Sequence, residues 1–110
     1  MNRAETVFNN PSYGDNGVGK VNNFTGADLT TNTYYCKTGQ TIDATSAAIG
    51  DHVYIVHQGE GQCILNNGSE EAINVAPGSI VYIPSGVDFR MTNTGMEDMV
   101  CTEVYHPSQY

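Results

Sequence analysis

The chain holds three histidines, and two of them, His52 and His57, stand five positions apart at the start and end of one apolar run. A β-strand sends successive side chains to opposite faces. Read as a strand, this run puts His52 on one face with Tyr54 and Val56, and His57 on the other with Val53 and Ile55. An imidazole and a phenol sharing a face form an acid–base couple, or a pair of hydrogen-bonding groups for a ligand. The competing role for His52 is structural: a ring satisfied by a neighbour inside a packed interior. His57, on the opposite face, is not placed to join His52 around a metal ion and is a candidate for a subunit contact. The third histidine, His106, precedes Pro107 near the chain end, where exposure is expected.

Three cysteines, Cys36, Cys63 and Cys101, form a second set. Thiolates are strong metal ligands, so they could complete a site with His52. Each, however, lies in a strand-like run where a small apolar side chain fits equally well, and free cysteine is commonly buried. The odd count, without a Cys-x-x-Cys pair, argues against a disulfide framework. No Ser–His–Asp order defines a triad. The pair Gly17 and Gly19 lacks the third glycine and the strand–turn–helix context of a phosphate loop.

These groups must be positioned by a small scaffold. A length of 110 residues suits one domain with one modest core. Twelve acidic residues against four basic ones give a net charge of −8. Arg3, Lys20, Lys37 and Arg90 are scattered, so no patch is available to neutralise a run of phosphates or to approach an anionic membrane. The N-terminus has no apolar secretion core and no run reaches the ~20 apolar residues of a membrane span, so a cytoplasmic location is expected.

Residues 1–28 read as an irregular or edge segment, with residues 22–28 irregular. Residues 29–110 read as a β-domain. Threonine, tyrosine, valine and isoleucine favour strands at 29–36, 53–58, 62–65, 71–75, 80–83, 87–92 and 99–105. Residues 40–50 read as extended chain or loop. Gly and Pro clusters separate the strands, and Asn67-Gly68 is a hairpin signal. Seven or eight short strands at close spacing point to an all-β sandwich or barrel.

Two motifs give this pattern a resemblance. The first runs Gly39, five residues, Thr45-Ser46-Ala47, four residues, His52, six residues, Gly59. The second runs Gly78, five residues, Pro84-Ser85-Gly86, two residues, Phe89, three residues, Asn93. In these spacings the chain from about 29 to 105 resembles the cupin family, and in particular a small single-domain, RmlC-like jelly-roll barrel. The turn-forming glycines, the proline and the asparagine fall in place. The resemblance implies an all-β jelly roll, an inward His52 and a homodimer. In cupins four positions of these motifs hold a divalent metal. Here they are Thr45, Ala47, His52 and Phe89, of which only His52 is a good ligand, and one imidazole does not hold a first-row metal. No cofactor is therefore expected, although a divalent metal at His52 remains the family's precedent.

Three functions stay open at this point. One is a binding module that holds a small organic molecule against Thr45, His52, Tyr54, Phe89 and Met91. Another is a metal-independent isomerase, epimerase or lyase with His52 as base and Tyr54 as acid. The third is a metal enzyme with unusual ligands. The orientation of Glu103 on the last strand is not settled by alternation. Arg90 reads as a surface ion-pair partner, and Glu70 with Glu71 as a solvated edge.

Overall fold

A computed structural model describes residues 3–44 and 50–106 of the chain. Every regular element among them is a strand: β1 Gly19–Thr25, β2 Thr30–Cys36, β3 Thr41–Ala44, β4 His52–Gln58, β5 Gly61–Asn66, β6 Glu70–Val75, β7 Ile80–Ile83, β8 Asp88–Asn93 and β9 Met99–Tyr105. They pair antiparallel in two sheets, ordered β1-β2-β9-β4-β7 and β3-β8-β5-β6. The sheets face each other as a jelly roll, and no strand pairing among the described residues joins them into one closed barrel. Apolar side chains from both inner faces meet in one core, with Tyr54, Val56, Ile83 and Cys101 from the five-stranded sheet and Ile42, Cys63, Phe89 and Met91 from the other.

Two stretches differ from the sequence reading. Residues 22–25, expected to be irregular, belong to β1. This strand has no clean apolar alternation; it is held by pairing its backbone with β2 at the sheet edge, across a bulge between Asn22 and Phe24. A strand made chiefly by backbone pairing leaves little trace in side-chain pattern. Within residues 40–50, Thr41–Ala44 likewise forms a short strand against β8.

The motif residues explain why the chain turns where it does. Gly39, Gly59, Gly78 and Gly86 adopt positive φ angles of 85°, 83°, 92° and 79°, a region other residues enter at a cost. Gly59 is constrained twice, because a Cβ there would lie 2.6 Å from the Asp98 carbonyl oxygen. Asn93 is buried, and its amide nitrogen donates to the carbonyls of Cys36 and Glu97 while its oxygen accepts from the Gly95 N–H. It ties β8 to the end of β2 and to the turn before β9.

Candidate functional site

His52 opens β4, Tyr105 closes β9 and Phe89 lies near the start of β8, so the antiparallel registers bring all three to one end of the sandwich. His52 is only 2% exposed. Its Nδ1 lies 2.7 Å from Glu103 Oε2, and both side chains are buried. The Tyr34 hydroxyl donates to the other carboxylate oxygen, Glu103 Oε1, at 2.8 Å. The register explains this convergence. Glu103 stands opposite Tyr54 on β4 and Asn32 on β2. Its carboxylate therefore reaches the diagonal neighbours on each side, His52 and Tyr34. An ionised carboxylate only accepts, so Glu103 in that state requires the proton on His52 Nδ1 and sets the tautomer and the ring orientation.

A second polar group adjoins the first. The Asn32 amide donates to the Tyr105 hydroxyl at 2.8 Å and accepts from the Asn22 amide at 3.0 Å. Aromatic rings wall the cluster. The His52 ring centroid is 5.9 Å from that of Tyr105 and 6.2 Å from that of Phe89. Tyr54 is 5.2 Å from Phe89 and 6.0 Å from Tyr34.

Of the residues picked out in sequence, His52, Tyr54 and Phe89 meet here. Met91 is fully buried one step further along β8, where its register partners are Ile42 and Cys63. Thr45 lies outside the described residues, as does Ala47. Two participants, Tyr34 and Tyr105, were missing from the sequence reading, and a third, Glu103, was named there with its orientation open. The available signal for Glu103 was its place as the lone carboxylate in an otherwise strand-like run. His57 lies on the far face of the same sheet, half-buried, with its Nε2 2.7 Å from Thr102 Oγ1.

Phe89 supplies no donor atom at its motif position, Glu103 engages Nδ1 of His52, and no group of three or more His, Cys, Asp or Glu comes together among the described residues. All three cysteines are buried and pack in the core. Burial pushes the Cys36 thiol up to about 12 and, with a smaller contribution from the Glu71 charge, that of Cys63 up to about 11. Cys101 is raised further, by burial first and then by its ionisable neighbours. They are protonated core side chains.

Comparison with known proteins adds the family. The family model described as "Cupin domain" matches residues 38–105, more than half of the chain. This chain belongs to the cupin family. No match is found among curated proteins. Solved structures reproduce the whole cupin fold at low identity. A protein of Thermus thermophilus is 19% identical, with a TM-score of 0.82 over 94% of this chain and 96% of that one. A Klebsiella pneumoniae protein with a double-stranded β-helix domain is 20% identical, with a TM-score of 0.82 over 97% and 91%. An RmlC-like cupin of Desulfovibrio desulfuricans is 12% identical, with a TM-score of 0.77 over 94% and 96%. At these identities the likeness concerns the fold, and function has to be argued from this cupin's own side chains.

Proposed function

We propose that this cupin binds a small organic molecule of mixed polarity at the His52 end of the sandwich, without a metal. The observation that carries the reading is the buried His52–Glu103 pair with the half-buried Tyr34 on its second oxygen, set among the rings of Tyr54, Phe89 and Tyr105. A buried histidine–carboxylate contact is a poor device for stability, because desolvation offsets most of its attraction. A few placed polar groups against an aromatic wall is the composition of a small-molecule site. A second reading is favoured by the 2.7 Å contact between Glu103 and His52. An imidazole oriented by a carboxylate is a competent general base, and a phenol nearby a competent acid. That arrangement suits a metal-independent isomerase, epimerase or lyase.

The protein is read as a cytoplasmic homodimer. Among the described residues no helix is long and apolar enough to cross a membrane. The outer face of the five-stranded sheet carries Val53, Ile55 and Val104 beside Ile80 and Tyr82, which are 70% and 55% exposed. These five side chains carry no charge at neutral pH, so a second copy of a chain with net charge −8 would meet no like charge on them.

The test is a thermal-shift panel of monosaccharides, hydroxy acids and small heterocycles, run with a chelator present. At least one compound is expected to raise the melting temperature of the wild type and not that of His52→Gln or Phe89→Trp. A shift retained in both variants would place the ligand elsewhere. For any hit, deuterium incorporation from solvent followed by NMR distinguishes proton-transfer catalysis from binding alone.

A further inference from the structure

The outer face of the five-stranded sheet carries a second polar system, far more extended than the first. His57 Nε2 contacts Thr102 Oγ1 at 2.7 Å, Thr102 Oγ1 contacts Thr33 Oγ1 at 2.9 Å, and the Thr33 hydroxyl meets Asn23 Oδ1 at 2.8 Å. Asn23 Nδ2 then donates to Glu5 Oε1 at 3.0 Å. Five side chains thus link β4, β9, β2, β1 and the segment that precedes β1.

The direction of every proton in this chain follows from its last member. A carboxylate only accepts, so the Asn23 nitrogen faces Glu5 and its oxygen faces Thr33. That oxygen also only accepts, so Thr33 spends its single proton on it. Thr102 must therefore donate to Thr33, and His57 must donate to Thr102 from Nε2. All four bonds point the same way, toward Glu5, and aligned bonds polarise one another.

Glu5, at the acceptor end, is exposed and lines a cavity of about 430 Å³ beneath the N-terminal segment. Thr6, Asn9, Asn10, Asn23 and Tyr35 also line it. Its walls are organised: the Tyr35 hydroxyl donates to the Val7 carbonyl at 2.6 Å, and the Asn9 N–H closes a turn onto the Thr6 carbonyl at 3.1 Å. Among the described residues of the lining, Glu5 alone carries a charge at neutral pH, and the other polar groups are amides and hydroxyls. The field of Glu5 reaches across the cavity: the Tyr35 phenol is pushed up by burial first and by the Glu5 charge second.

We propose that this cavity is a second binding site, for a small organic ammonium ion bearing hydroxyl groups, with Glu5 as its anionic anchor and the chain from His57 as the device that positions that carboxylate. A volume of this size admits a monosaccharide-sized guest. One fixed carboxylate among neutral hydrogen-bonding groups recognises an ammonium with hydroxyls better than it does an anion. The negative potential of a chain with net charge −8 draws a cation toward it.

The experiment is an amide NMR titration of the full chain with glucosamine at low ionic strength, with glucose as the neutral comparator. Saturable shifts at Asn23 and Tyr35 are expected with glucosamine. Binding of glucose, and of glucosamine by Glu5→Gln, is expected to be about tenfold weaker or more. Thr102→Val breaks the chain two strands away without touching the cavity wall. It is expected to weaken glucosamine about threefold and to release His57 from its Nε2–H tautomer, seen in the ring ¹⁵N shifts. Thr102→Ser is expected to restore both. No saturable shift with glucosamine, or equal binding of glucose, overturns the site. Unchanged affinity in Thr102→Val with the remaining amide spectrum intact overturns the positioning role.

Discussion

His52 and His57 lie on one strand, five residues apart, and face opposite ways. Each contacts a side chain of the neighbouring strand at 2.7 Å, and those partners, Glu103 and Thr102, are consecutive residues. The two systems they begin are nevertheless built on different physics. Inside, a carboxylate is taken out of water and held by His52 and Tyr34 in a short, closed cluster. Outside, neutral hydroxyls and an amide hand the hydrogen bonds across the sheet to a carboxylate that stays in contact with solvent. The inner arrangement concentrates electrostatic free energy at one point and depends on every member. The outer one spreads modest free energies along a line and needs no buried charge.

This difference sets an order of effects. Glu103→Leu removes the acceptor of the buried His52 and the half-buried Tyr34, and a broken buried pair of this kind costs about 3–5 kcal/mol. Urea denaturation is expected to show that loss. Adding His52→Phe to Glu103→Leu should recover much of it, because paired apolar groups replace a buried polar pair at little net cost. Thr102→Val, in the middle of the outer chain, deletes one hydroxyl between two neutral or weakly charged neighbours and is expected to cost about 1–3 kcal/mol. Equal losses at Glu103 and Thr102 in the same denaturation series would erase the distinction between the two systems.

Much of the frame was legible because its determinants are local. Gly39, Gly59, Gly78 and Gly86 are needed for their own φ angles, and Asn93 for the turn beside it. Such requirements sit at single positions and leave a spacing in the sequence. The faces of β4 were legible for the same reason, since alternation is a property of one strand. Glu103 was not. Alternation along β9 leaves its parity open, and the registers with β2 and β4 bury Glu103 and leave Val104 on the outer sheet face. That choice depends on partners some fifty and seventy positions away, Tyr54 and Asn32, and on the sheet having apolar side chains on both faces. Strand β1 was read only as irregular or edge chain, because the backbone pairing and the Asn22 and Asn23 hydrogen bonds that hold it leave no apolar alternation in the sequence. The outer chain combines both difficulties, with Glu5 and Asn23 in the segment read as irregular or edge and Thr33 and Thr102 indistinguishable from ordinary strand threonines.

The smallest expected effect is also the one that isolates His57. Burial holds its pKa below the ordinary 6.5. With the folded value depressed, the unfolded chain binds more protons than the folded one between the two values, so the slope of stability against pH is positive there. The contribution of His57 is fully present above pH 6.5, the unfolded value, and is lost as pH falls through the lower folded value. The carboxylates of Asp15 and Asp51, lowered by hydrogen bonds to Lys37 and Tyr82 respectively, act in the same direction but in a more acidic range, around and below 3.8. His57→Gln keeps a side-chain amide that can donate to Thr102 and removes the titration, so the difference between its stability curve and that of the wild type reports His57 alone. Denaturation midpoints measured from pH 7.5 to 5 are expected to fall more steeply in the wild type than in His57→Gln. Parallel curves would mean that the imidazole does not feel its half-buried setting.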